Sequence, residues 1–176
     1  MSKRIEDDDD EVPERFVVLL RHGLAEDAGG GKSDADRSLT AEGHARMKQV
    51  ARGLERAFPK AQAIYSSPLV RAMQTALWVS KGYRSRIQVT TTDALMPGMT
   101  TDAFAQFLAS IKERRTIVVG HEPNLSENVA ALVGMPLSGL ELKKGGCYGL
   151  RLRQGGTAVL EWMLTPRILR KLGEID

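Results

Sequence analysis

The chain has 176 residues, 42% of them apolar and 27% charged, a length and balance that suit one soluble domain with a substantial core. Its one cysteine, Cys147, excludes an internal disulfide and a cysteine-rich metal site. The net charge of +3 is uneven: residues 1–14 hold two cations against seven carboxylates, a net of −5, which leaves +8 on the remainder. A basic body calls for an anionic partner, either a phosphorylated substrate or a nucleic acid. No apolar run is long enough to span a bilayer, and the polar, acidic first residues are unlike a secretory signal. The expectation is a cytoplasmic protein without membrane association.

Residues 1–14 read as a disordered acidic tail, because the like charges of 7–10 repel and offer nothing to bury. Residues 15–176 read as a single domain, with no internal repeat or linker. The first strand is expected over 16–20, a β-prone run that ends in Arg21-His22-Gly23. A polar loop follows to about Leu39, long enough to act as a lid. Thr40 can cap a helix to about Phe58, with Met47, Val50, Ala51, Leu54 and Phe58 as its core stripe. His44 lies in its first turns and reads as a packing or surface residue. Ala63–Ser66 is the second strand. Ser67 as N-cap and Pro68 at the first helical position then predict a helix to about Lys81, with Leu69, Met73, Ala76 and Leu77 facing inward.

A third strand is expected over 87–90, a loop over 93–101, and an amphipathic helix marked by Phe104, Phe107, Leu108 and Ile111. The run 116–119 is the most strand-like in the chain and ends in Gly120-His121-Glu122-Pro123-Asn124, where Asn124 can cap a helix. A buried strand thus ends in histidine twice. Two strands close the pattern, 148–153 and Ala158–Leu164, with Gln154-Gly155-Gly156 as their hairpin turn, before a short docking helix that starts near Pro166.

Strands alternating with helices predict a three-layer α/β/α architecture with a mainly parallel sheet and an edge hairpin near the C-terminus. Right-handed crossovers bring the strand ends to one edge, where ligands bind in open α/β sheets. Arg21, His22, Arg71 and His121 would gather there. Arg71 stands in the first turn of its helix, where a cation makes sense if an anion binds between it and the free N–H groups. Two arginines and two histidines suit a tetrahedral dianion, and a neutral histidine can attack phosphorus to form a covalent intermediate.

Arg21-His22-Gly23 after one strand, SSPLVRAMQTA after the second and VVGHEPNLS after a later one together resemble the histidine phosphatase, or phosphoglycerate mutase-like, superfamily. Compactness, the DRSLTAEG segment and the WMLTPRILRKL ending make the chain most similar to SixA-type phosphohistidine phosphatases. The resemblance implies His22 as nucleophile, with Arg21, Arg71 and His121 as catalytic residues that bind phosphate, and Gly23 as a substrate-binding residue through close backbone approach. It implies no metal and no cofactor.

Larger members of the superfamily carry a glutamate after the third strand that protonates the leaving oxygen. Here that neighbourhood offers only Asp93, which reads as a turn residue with general acid as the alternative. An alkoxide needs that proton, worth ~10²–10⁴ in rate, whereas a protonated phosphoimidazole leaves neutral. The absent glutamate and the lack of a cap insertion favour phosphohistidine on a protein as substrate. Phosphatase action on small phosphomonoesters and a catalytically silent phosphate-binding module stay open on the residues alone. Nucleic-acid binding fits poorly, because the few aromatics are not interleaved with the basic residues. Whether Asp93, Arg37 or Asn124 joins the site is left to the structure.

Overall fold

The unbroken apolar run of the first strand decides the layers. In a computed structural model, β1 (Arg15–Arg21) buries Val18 and Leu20 on one face and Val17 and Leu19 on the other, as a strand covered on both sides must. The structure describes residues 14–175 apart from positions 30 and 32. The acidic tail therefore lies outside the described residues except for Glu14, whose carboxylate meets Arg151 at 3.5 Å.

The other elements are α1 (Ala41–Ala57), β2 (Ala63–Ser66), α2 (Val70–Gly82), β3 (Val89–Thr91), α3 (Thr101–Ser110), β4 (Arg115–Gly120), α4 (Asn124–Val133), β5 (Cys147–Leu152), β6 (Ala158–Leu164) and α5 (Pro166–Glu174). The six strands are ordered β3-β2-β4-β1-β5-β6. The first four are parallel, and β5 and β6 add an antiparallel edge. Met47, Val50 and Leu54 of α1, Ala72, Ala76 and Val79 of α2 and Leu169 of α5 cover one face. Phe104 and Leu108 of α3 with Leu125, Val129 and Leu132 of α4 cover the other. The expected α/β/α layering is the observed one.

Several local expectations are corrected. The helix after β2 begins at Val70 rather than Pro68, because the Ser67 hydroxyl accepts from the Leu69 amide and is shared with His121. Leu77 is 49% exposed; the inner face of α2 is made by Ala72, Thr75, Ala76 and Val79. The third strand is shifted to Val89–Thr91. Asn124 does not cap α4: its Oδ1 accepts from the Gly98 amide and its Nδ2 donates to the Met99 carbonyl, which ties the 97–99 loop to the helix start. His44 accepts from Trp78 Nε1 at 2.9 Å, a packing role as expected.

α5 docks tightly on α1. A Cβ at Gly53 would lie 1.8 Å from the Leu169 carbonyl oxygen, so only glycine allows that approach. This contact brings the first turns of α5 beside the C-terminal edge of the sheet.

Candidate active site

β1 and β4 are neighbours in parallel register, with Arg21 opposite Gly120, so their following residues His22 and His121 emerge side by side. Their ring centroids are 5.2 Å apart. The His22 amide donates to the Gly120 carbonyl and the Ser67 amide to the Val119 carbonyl, which extends the sheet's bonding past the strand ends. Both histidines and Arg71 are buried, at 6%, 3% and 4% exposure. The expected four residues do converge. With Asp34, Arg37, Pro97, Glu122 and Lys144 they line one cavity of about 380 Å³.

The two imidazoles are held by opposite means. His22 Nδ1 lies 2.8 Å from the Gly23 carbonyl oxygen. A carbonyl only accepts, so Nδ1 carries the proton and Nε2 keeps its lone pair. His121 Nε2 instead lies 2.8 Å from the Ser67 hydroxyl, and its Nδ1 has no partner. Burial lowers the pKa of His22 to about 3, with His121, Arg71 and Arg21 adding to the effect against the Gly23 bond. Burial, then Arg71, lowers His121 to about 4. Both rings are therefore neutral near pH 7, and His22 presents an unprotonated nitrogen.

The arginines each keep a free donor. Arg71 gives its terminal nitrogens to Asp34, one to the carbonyl at 2.6 Å and one to the carboxylate at 3.0 Å. Arg21 donates to the Leu142 carbonyl at 2.6 Å. The Nε of each is buried without a partner. Three orphaned donors or donor-capable atoms (Arg21 Nε, Arg71 Nε and His121 Nδ1) among residues lining one cavity are what an oxyanion would satisfy. An entering anion competes for the buried Arg71 guanidinium with Asp34, whose own carboxylate is exposed. Asp34 belongs to the polar loop, which forms a wall of the cavity; Arg37 of the same loop donates to Asp34 and to the Glu26 carbonyl.

Gly23 has a different reason to be glycine from the one expected. Its amide donates to Thr75 Oγ1 at 3.0 Å, and a Cβ there would meet Met47 Cγ at 2.6 Å. The residue is required by packing of the loop on α1, and it does not line the histidine cavity. Asp93 is exposed in the first turn of a short 3₁₀ segment and does not line it either. Besides Asp34, the carboxylate that does is Glu122, half-buried, with its pKa raised by burial against its hydrogen bonding to Ser126 and the charge of Arg21. Sequence reasoning passed over Glu122, although its position beside His121 in the same motif was a signal. Asp34 and Lys144 come from loops without periodicity and gave none. Asn124 stays outside the cavity, and Arg37 joins it.

A larger depression of about 640 Å³ lies between the C-terminal ends of α1 and α2, away from the histidines, and offers no imidazole or thiol. Among the described residues, no three of His, Cys, Asp and Glu are grouped to hold a metal ion. Among the described residues, no helix is long and apolar enough to cross a membrane.

The family model of the histidine phosphatase superfamily (branch 1) matches residues 17–96. An uncharacterized protein of Picosynechococcus sp. is 35% identical over 140 residues, 77% of this chain and 84% of that protein. Among solved structures, the protein histidine phosphatase SixA complexed with tungstate superposes with a TM-score of 0.78 at 22% identity, covering 88% of this chain and 99% of that one. A phosphoserine phosphatase variant from Entamoeba histolytica, in complex with phosphoserine, gives 0.67 at 19%, over 88% of this chain and 99% of that one. A mycobacterial glucosyl-3-phosphoglycerate phosphatase with VO3 gives 0.68 at 18%, over 86% and 99%. At these identities the likeness establishes the phosphoglycerate mutase-like fold that the motifs implied.

Proposed function

Because the chain belongs to the histidine phosphatase superfamily, we propose that it is a metal-independent phosphatase that removes the phosphoryl group from phosphohistidine on a protein through a covalent intermediate on His22. The observation that carries the reading is His22 itself. Its Nδ1–H is fixed on the Gly23 carbonyl and its neutral Nε2 belongs to a ring in a cavity walled by Arg21, Arg71 and His121.

In the first step His22 Nε2 gives its lone pair to phosphorus, and the bond from phosphorus to the substrate's ring nitrogen breaks. That nitrogen keeps the electron pair, and a substrate imidazole protonated on its other nitrogen leaves neutral. Arg21 and Arg71 offer their Nε–H groups to the phosphoryl oxygens, and His121, with the Ser67 hydroxyl donating to Nε2, offers Nδ1–H. In the second step water attacks phosphorus, the N–P bond breaks and His22 recovers its lone pair, releasing phosphate.

A second reading, hydrolysis of small phosphomonoesters, is favoured by Glu122. Its raised proton affinity in the cavity lining suits donation to an alkoxide leaving group. Comparing kcat/KM on a phosphohistidine-bearing protein with that on sugar and nucleotide phosphates separates the two. The proposal expects the phosphohistidine protein to be preferred, and Glu122→Gln to leave that rate within a few-fold. A preference for esters, with a loss of ~10²-fold or more in Glu122→Gln, would establish the second reading instead.

A further inference from the structure

A second cavity, of about 310 Å³, adjoins the first and shares Arg21 and Lys144 with it. Four segments build it: the end of β1 and the residues after it supply Arg21, Gly23 and Leu24, α1 supplies Arg46, the loop before β5 supplies Lys143 and Lys144, and α5 supplies Arg170. Met47, Val50 and Pro166 are among its apolar lining, and no carboxylate lines it. Arg46 pairs with Glu42 on its own helix, both side chains being exposed. Glu122 and Glu141 act on Arg21 electrostatically, and neither lines this cavity. Among the described residues, no ion pair neutralises Lys143, Lys144 or Arg170. Arg170 Nε is buried and without a hydrogen-bond partner.

Like charges gathered around one concavity repel, and a cleft lined by one sign of charge raises the local concentration of the opposite one. A buried, unpartnered guanidinium N–H is costly until an acceptor reaches it. The cavity also lies beside the reacting centre rather than on a remote face, through Arg21, whose neighbour in sequence is His22.

We propose that this cavity is a second anion subsite, which takes a further acidic group of the same substrate whose phosphoryl group lies against His22. The proposal rests on the phosphoryl-site reading of the first cavity. The acidic group is either a carboxylate side chain near the phosphorylated residue of a protein or the second phosphate of a small bisphosphate, and the experiment has an arm for each.

Binding is measured with the full-length His22→Ala protein, so that no probe is consumed. One pair of probes is a phosphoserine peptide flanked by aspartates and the same peptide with asparagines. The other is fructose 1,6-bisphosphate and fructose 6-phosphate. The second anion should tighten binding about tenfold in one pair, and that pair identifies the source. Lys143→Gln, an exposed loop substitution, should lose part of the gain, and Lys143→Gln/Arg170→Gln most of it. No gain in either pair, or a gain that survives both variants, overturns the subsite. Tungstate competition keeps the two readings apart: probes displaced by tungstate but indifferent to the second charge overturn the subsite alone. Probes that tungstate does not displace overturn the phosphoryl-site reading and the subsite with it.

Discussion

β1 and β4 lie side by side, run the same way and both end in a histidine, yet they hold their imidazoles by different nitrogens. β1 hands His22 Nδ1 to a backbone carbonyl, which leaves Nε2 as a base and nucleophile. β4 hands His121 Nε2 to a serine hydroxyl that can donate or accept, so its Nδ1 can take the proton when an oxyanion arrives. The same residue at the same place on adjacent strands becomes an attacking group in one case and an oxyanion donor in the other. What distinguishes them is the partner of the second nitrogen.

The difference is tested most severely by removing each ring. His22→Ala should abolish turnover on every substrate, a fall of about 10⁴-fold or more, because the other neutral imidazole in the cavity, His121, has its Nε2 tied to the Ser67 hydroxyl. His121→Ala should keep the reaction but lower kcat by ~10²–10³, the usual loss for one oxyanion donor. Steady-state assays of the two variants that gave equal losses would break the distinction. Ser67→Ala acts only on the β4 end and removes one hydrogen bond, so kcat should fall about fivefold, with the His22 labelling stoichiometry unchanged.

The smallest effect is on stability. Unfolded histidines take up protons near pH 6.5, whereas these two resist until about 3 and 4 in the folded chain. Between those values the unfolded chain binds more protons, so stability falls as the pH drops below about 6.5 and is untouched by these groups above 7. The loss at pH 5 is on the order of 2 kcal/mol per imidazole. Urea midpoints at pH 7 and 5 should show it, and His22→Ala should remove about half. A midpoint that does not move would mean that the rings are protonated in the folded chain.

The parts of the site that were legible in the sequence are those delivered by buried strands. The apolar runs before His22 and His121 have to be covered on both faces, and parallel pairing then puts their ends together. Arg71 was legible because a helix start follows β2. Residues that depend on loops or on local competition for hydrogen bonds were not. Asp34 reaches Arg71 from a loop with no period, and Asn124, a good cap by type, is drawn off by Gly98 and Met99. The resemblance implies a phosphate contact for the Gly23 backbone, but Met47 and Thr75 already occupy its Cα face and its amide. The inward stripe expected of Leu69, Met73, Ala76 and Leu77 fails at Leu77, which the register of α2 turns to the surface.

The central claim is that His22 Nε2 takes the phosphoryl group. Brief reaction of the wild-type chain with a ³²P-labelled phosphohistidine protein, followed by quenching in alkali and peptide mapping, tests it directly. The account predicts an acid-labile, alkali-stable label on His22 that is absent from His22→Ala and chases out on further incubation. Phosphate released by the wild-type chain with no label at His22, or an equal label in His22→Ala, would contradict it.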